Sequence, residues 1–402
     1  MKILISNCGQ IDGPNFYRTY CLANGLLQRG HSITMMTSPG VSQGKIDHMN
    51  NGNEINFIMF SDIVPKRFRQ AGFGIIDPVL RTMEILHSKY DVFFADSGFR
   101  PACGLPCWIG KVLKNVPYVC EWWDLNGRGG QFDLRPLLGR YTIGVMDSFM
   151  EKLDKKLADG IVCVSSFLQE KCIEMKIPKE KTLVLHGGAD IEGIPFIERS
   201  IARSKLGLGN GFLLGIAGIN KAELRNLAPF FKALKKLQRD FPDIAWFSTG
   251  AELTSQQVRD YDIGREHIEL GWLSYAQYGL YLSAADVLLC PLENSIKNIS
   301  RWPNKLGDYL AAGRPIVSNA VGEIKIFSEK YPNTIVVTNW EEKDIFETLR
   351  SLLLNKNKAK ELGVNARKVA EQEYSWTAKA AELEIFLGKI ISERSANTDG
   401  VI

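Results

Sequence analysis

The sequence predicts an α/β protein made of two parallel sheets in tandem, and three observations lead there. Short apolar runs alternate with helical patterns from one end of the chain to the other, the arrangement that builds parallel sheets. Several of those runs are apolar without alternation, as expected for strands covered on both faces. The rhythm lapses once, from Asp190 to Gly211, where Gly193, Pro195, Gly207, Gly209 and Gly211 interrupt it. At 402 residues the chain exceeds one ordinary core, and two domains of roughly 200 residues are the natural division.

In the first half the expected strands are Ile3–Ser6, Ile33–Thr37, Ile55–Phe60, Val92–Ala95, Tyr118–Trp122, Ile161–Val164 and Leu183–Leu185. Phe16, Tyr20, Ala23 and Leu27 recur at helical spacing and mark the first helix, which Gly30 stops. After the lapse, taken as the interdomain linker, strands are expected at Phe212–Ala217, Ile244–Ser248, Ile268–Gly271, Val287–Cys290, Pro315–Ser318 and Ile335–Val337. Helices fall between them at Leu227–Arg239, Gln256–Tyr261, Tyr275–Ser283 and Asn304–Ala312, and Glu342 to Ser392 reads as helices alone. The expected division is 1–200, 201–375, and a C-terminal helix at 376–402 able to pack back on the first domain. Ligands of such sheets bind at the carboxyl ends of strands, so a cleft between the halves is the default site.

Composition narrows the class. The 45% hydrophobic and 23% charged content is that of an ordinary globular protein. No apolar run approaches the roughly 20 residues that cross a bilayer. Met1-Lys2-Ile3-Leu4-Ile5 enters a strand directly, without the regions of a signal peptide, so a cytoplasmic address is expected. Eight scattered cysteines form no disulfide framework in a chain this long, and Cys103 with Cys107 lacks the second pair or histidines of a zinc site. The formal charge of +4 does not call for nucleic acid, though it suits a protein that handles phosphates or touches an anionic surface.

The chemistry concentrates in Pro291-Leu292-Glu293-Asn294 and in the run Arg301 to Pro315. Within that run a short helix has Pro303 at its start and Gly313 at its end, and Pro315 opens the next strand. Spacings of three and four put Asn304, Lys305 and Asp308 on neighbouring positions of one face. That face begins at a helix N-terminus, where free N–H groups and the macrodipole favour a phosphate. A carboxylate one turn further in can accept hydrogen bonds from a pair of ribose hydroxyls. Periodicity alone equally allows a solvated amphipathic helix with a Lys–Asp pair.

The run Pro303-Asn304-Lys305-Leu306-Gly307-Asp308-Tyr309-Leu310-Ala311-Ala312-Gly313-Arg314-Pro315-Ile316-Val317 resembles the donor-site helix of family 4-like retaining glycosyltransferases (group 1). Further segments fall in that family's order: Gly30-His31-Ser32-Ile33, Ala158 to Ser165, His186-Gly187-Gly188-Ala189-Asp190, Leu270 to Ser274 and Ala284 to Pro291. The likeness spans nearly the whole chain.

The resemblance implies a GT-B fold, two Rossmann-like domains facing each other across a cleft. It places a nucleotide-diphosphate sugar in the C-terminal half and a hydroxyl acceptor, carbohydrate or lipid-linked, in the N-terminal half. It further implies transfer with retention in cell-surface polysaccharide or glycolipid assembly, with no cofactor and no metal. Asp308 matches the second Glu of the family's Glu-x7-Glu pattern, which binds the ribose; the first falls at Ser300, so the pattern is broken there, and Glu293 in the same loop can substitute. The family's diphosphate-binding Arg falls at Ile219, after Gly218, leaving Lys221, Arg225 and Lys305 as the candidate cations for charge building on the leaving group. Lys221 also reads as a solvated loop residue. The departing phosphate itself can take the acceptor proton in such a mechanism.

In the N-terminal half, Asn7 to Asn15 follows the first strand; Gly13 and Asn15 are acceptor-site candidates, although the loop also reads as a plain connection. It lacks a G-x-G-x-x-G fingerprint, which speaks against a nucleotide-dependent oxidoreductase. Glu121-Trp122-Trp123-Asp124-Leu125-Asn126-Gly127 combines aromatic faces and polar groups suited to sugar. By the resemblance Asp124 is a catalytic candidate and Trp123 takes the place of the family's His; Trp123 and Asn126 are acceptor-site candidates, Trp122 also reads as core, and His31 reads as structural. Pro65 to Gln70 mixes basic and apolar residues and fits a peripheral contact with the inner face of a membrane, although such runs are commonly just solvated. The competing functions are a nucleotide-sugar epimerase of the same fold and a catalytically inactive sugar- or nucleotide-binding protein.

Overall fold

The computed structural model describes residues 1–11, 14–38, 54–60, 62–65, 68, 71–219 and 224–399. Two compact units result: Met1–Gly187 with Trp376–Ile402, and Gly188–Ser375.

Unit 1 is built on a seven-stranded sheet. Its strands are β1 (Lys2–Gln10), β2 (Ser32–Ser38), β3 (Asn56–Met59), β4 (Val92–Ala95), β5 (Tyr118–Trp122), β6 (Gly160–Cys163) and β7 (Thr182–Val184). They run parallel in the order β3-β2-β1-β4-β5-β6-β7. Phe16, Tyr20, Ala23 and Leu27, the residues whose spacing predicts the first helix, enter the core from the helix Pro14–Gln28 beside Leu383 and Leu387 of the last helix, Trp376–Asp399. A Cβ on Gly25 would lie 2.5 Å from the Ala380 Cβ, so glycine is what lets these two helices meet. His31 is structural: its Nε2 bonds Glu384 Oε1 at 2.7 Å.

Unit 2 carries β8 (Leu213–Ile219), β9 (Ala245–Gly250), β10 (His267–Glu269), β11 (Val287–Cys290), β12 (Ile316–Ser318) and β13 (Ile335–Val337). They are parallel in the order β10-β9-β8-β11-β12-β13. In both sheets the strand order reverses beside the first strand, at β1/β4 and at β8/β11. Chain connections diverge there and open a crevice at the strands' carboxyl ends.

The units divide at Gly187/Gly188, ahead of the 200/201 division drawn from the sequence. The stretch from Asp190 to Gly211 is not a free linker. Asp190 Oδ1 accepts from the Gly193 N–H at 2.8 Å, and a helix, Arg199–Leu206, follows. Arg203 donates to Ala284 O at 2.9 Å and to Asp286 Oδ2 at 2.6 Å, binding that helix to the start of β11. The glycines and proline that break the sequence rhythm sit in turns and irregular connections of unit 2. All eight cysteines are free and buried.

Candidate functional site

At the β8/β11 crevice the two strands pair only through Val287↔Leu214 and Leu288↔Gly215. Beyond that point the Tyr309 hydroxyl bridges them, accepting from Ala217 N at 2.7 Å and donating to Leu289 O at 3.2 Å. Tyr309 comes from the helix Asn304–Ala312, whose bounds are those the sequence predicts. Leu306, Gly307, Tyr309 and Leu310 turn inward, while Asn304 is exposed and Lys305 and Asp308 are half-buried. Pro303 occupies the N-cap without a side-chain cap, leaving amides at the helix start, and Gly313 ends the helix at φ 63°. No hydrogen bond or ion pair holds Lys305 among the described residues.

Gly307 faces the turn Gly188-Ala189-Asp190. A Cβ there would stand 2.3 Å from the Gly188 oxygen, so only glycine admits this contact. Asp308 Oδ2 accepts from the Tyr278 hydroxyl at 3.1 Å. Burial pushes the Asp308 carboxyl up to about 7; the Tyr278 hydrogen bond opposes the rise, and the charge of Asp190 adds to it. Burial, with Asp308 alongside, also pushes the Tyr278 phenol well above its usual value.

Gly218, next to last in β8, stands at φ 64°, exposed, with open space where a side chain would be and its N–H on Thr249 Oγ1 at 3.0 Å. Arg225 is exposed in the single turn Leu224–Leu227, which leads into the helix Ala228–Asp240. Lys221 lies outside the described residues. After β11, Asn319 fixes the loop by two bonds to the Leu292 backbone, at 2.8 and 2.7 Å. Glu293 is exposed there, its backbone oxygen accepting from Asn298 Nδ2 at 2.9 Å. Ser300, at the position where the resembled family has its first Glu, is buried, and its Oγ reaches back to Lys297 O. A helix start with free amides, two cations unpaired among the described residues (Arg225 and Lys305) and a carboxylate able to change charge near neutrality can together receive a polyanion that carries a diol. Among the described residues no group of three or more His, Cys, Asp or Glu could hold a metal ion.

In unit 1, Trp122 is core and donates to Glu151 Oε1 at 2.8 Å. The same carboxylate accepts from Asn126 N at 3.0 Å and Gly127 N at 2.8 Å, and thereby shapes the turn that presents Trp123, Asp124 and Asn126, all half-buried. Glu151 was not read from the sequence; its signal is a helix, Val145–Leu157, that buries Asp147, Glu151 and Asp154. Glu151→Ala leaves three donors without their acceptor. We expect a stability loss of about 3 kcal/mol, read as a lower urea midpoint. Gly13 lies outside the described residues, as does the Asn15 side chain, and so do Lys66, Arg67, Arg69 and Gln70 of the basic segment.

The sequence reading also passed over a buried polar cluster at the carboxyl ends of β1, β4 and β5. Arg18 donates to Glu121 Oε1 at 2.6 Å and to Leu185 O at 2.8 Å. Thr19 donates to Asp96 Oδ2 at 3.0 Å, and Asn7 bonds the same oxygen. Burial raises the Asp96 carboxyl well above the usual range, with Cys8 and Glu121 adding to it. A charged residue inside the apolar run Tyr118–Trp122 is the signal that marks Glu121.

Comparisons with known proteins bear on the fold and the family. Residues 216–369, from β8 onward, match the family described as Glycosyl transferases group 1. The Bacillus subtilis protein TuaH, named as a glycosyltransferase of teichuronic acid biosynthesis, is 26% identical over 193 residues, covering 45% of this chain and 47% of that protein. The aligned part thus spans less than half of TuaH. Spore coat protein SA of Bacillus subtilis is 20% identical over 372 residues, covering 80% of this chain and 90% of that protein. The solved structure of Anabaena Alr3699/HepE in complex with UDP superposes with a TM-score of 0.69 at 15% identity, over 97% of this chain and 100% of that one. Two parallel-sheet, Rossmann-like units with that likeness establish the GT-B fold, and the match of residues 216–369 to the group 1 family supports a GT-B glycosyltransferase.

Proposed function

We propose that the chain moves a sugar from a nucleotide-diphosphate sugar to an acceptor hydroxyl, with retention and without a metal, in the assembly of a cell-surface polysaccharide or glycolipid. One observation carries the reading: the helix Asn304–Ala312 joins an uncapped N-terminus to the half-buried Asp308 at the carboxyl ends of β8 and β11. The diphosphate lies against the Gly218 backbone and the amides at Asn304. Arg225 and Lys305, with Lys221, offset the charge that builds as the glycosidic bond breaks. Asp308 accepts from the ribose hydroxyls, and Glu293 faces the transferred sugar. The freed phosphate oxygen takes the acceptor proton, and Asp124, Trp123 and Asn126, with Gly13 and Asn15, hold the acceptor. Neither a cofactor nor nucleic acid has a part in this reaction.

A thermal-shift panel tests the donor site. Since the Anabaena structure has UDP bound, the panel sets UDP beside GDP, ADP and their sugar conjugates. A ligand at about 100 times its Kd adds about 2.7 kcal/mol to stability, and at least one nucleotide is expected to raise the melting temperature by several degrees. Silence from all of them removes the proposal. Nucleotide release from the responding sugar conjugate, undiminished by EDTA, then tests transfer without a metal.

A further inference from the structure

Three segments of unit 1 lie side by side over one face of its sheet. They are the helices Ile76–His87 and Pro101–Lys114, and a third that runs from Leu137–Gly139 through a π-helical turn, Arg140–Gly144, into Val145–Leu157. Lys114 Nζ bonds Ile85 O at 3.1 Å, and Trp108 Nε1 bonds Asp154 at 3.1 Å, so the middle helix touches both neighbours.

The polarity of this layer is inverted. Asp77 and Arg81 of the first helix pair with each other in the interior, and Asp147, Glu151, Asp154 and Lys155 of the third are buried as well. The outward positions are apolar at helical spacing: Val79 and Met83, then Ile109 and Val112, then Tyr141, Val145 and Phe149. Val112 is 78% exposed, Leu138 80% and Phe149 65%. Charged groups that water would have satisfied are sequestered, while large apolar side chains face outward on three adjacent elements. Scattered exposed leucines are ordinary, but a contiguous inverted layer marks a binding surface.

The rim identifies the occupant. Arg128, Lys152 and Lys156 are exposed beside the apolar positions, whereas the acids of the same helix are the buried ones. Asp133, also exposed, is tied to the Gly129 N–H at 2.8 Å. A second copy docked by two-fold symmetry would set this cationic rim against itself. An anionic lipid surface instead takes the apolar side chains below its headgroups and the cations at their level. No helix among the described residues is long and apolar enough to cross a membrane, so the contact is interfacial. We infer that this three-helix face of unit 1 docks on an anionic bilayer. The inference does not depend on the proposed sugar transfer.

Sedimentation of the full chain with vesicles of phosphatidylcholine, with and without phosphatidylglycerol, tests it. Binding to the anionic vesicles is expected to exceed binding to neutral ones by about tenfold and to weaken with salt. Val112→Glu with Leu138→Glu, at two open surface positions, should reduce binding by about tenfold or more at an unchanged melting temperature. Lys152→Gln with Lys156→Gln provides a second route that spares the apolar positions. Absence of binding to either vesicle overturns the inference. So does equal binding to both, or a concentration-dependent dimer that Leu138→Glu dissociates in the absence of lipid binding.

Discussion

Asp308→Asn is expected to raise the melting temperature at pH 8 by about 2–4 °C while weakening nucleotide-sugar binding about 10- to 100-fold. Both effects follow from a carboxyl pushed from 3.8 up to about 7 by burial, with the Asp190 charge adding to the rise against the Tyr278 hydrogen bond. Between those two values the folded chain holds a proton that the unfolded chain has released. Stability from this group therefore falls as pH climbs through that window, and above it the whole cost of an ionised, half-buried carboxylate is present. Asparagine keeps the shape and removes the cost, so its gain should be larger at pH 8 than at pH 5. Ribose hydroxyls are accepted best by the ionised form. Wild-type affinity for a nucleotide sugar, whose diphosphate is esterified at both ends and does not titrate here, should accordingly be about tenfold lower at pH 6 than at pH 8. Calorimetric melts and binding isotherms at these pH values are the measurements. An asparagine variant that melts lower at pH 8, or binds as tightly as wild type, would show that Asp308 has neither role.

Much of the fold that carries this candidate site could be read from one chain, for identifiable reasons. The inner strands announce themselves because parallel strands covered on both faces are apolar throughout, as in Val92–Ala95 and Val287–Cys290, every residue of which is buried. The helix Asn304–Ala312 is bounded by residues with one conformational use each: Pro303 where no N–H is needed and Gly313 at positive φ. Partnerships made across the fold leave weaker marks. Nothing near Asp308 in sequence points to Tyr278 or Asp190, which modify in opposite directions the rise that burial imposes on its carboxyl, and nothing near Asn126 points to Glu151. The sequence places the division at 200/201, after the Gly187/Gly188 division of the two compact units, because glycine marks a turn as readily as it marks a linker. The outer helices show the deeper ambiguity. Their periodicity gives two faces, and the ordinary rule would bury the apolar one; here Arg81 pairs with Asp77 inside, and Val79 and Met83 are left outside.

Gly307→Ala should cost about 3 kcal/mol or more and lower the melting temperature by about 6–12 °C. Helix propensity alone predicts the opposite, since alanine in a helix interior is favoured over glycine by about 1 kcal/mol. The decisive distances are 2.3 Å from the new Cβ to Gly188 O and 3.1 Å to Gly188 C, both backbone atoms with no rotamer to yield. Either the helix or the turn Gly188-Ala189-Asp190 must move. Movement that takes Asp190 away from Asp308 also removes a charge that raises the Asp308 pKa, so the pH at which nucleotide-sugar binding switches on should fall. Gly218→Ala provides the contrasting case. Nothing stands within 4 Å of its Cβ position, and its φ of 64° is the only strain, worth about 1–2 kcal/mol. That variant should melt only about 2–8 °C below the parent, a smaller drop than that of Gly307→Ala, but lose affinity for the diphosphate, whose approach the methyl obstructs. If Gly307→Ala instead stabilises the chain as propensity predicts, the glycine is not what brings the turn against the helix, and the coupling of Asp190 to Asp308 has another origin.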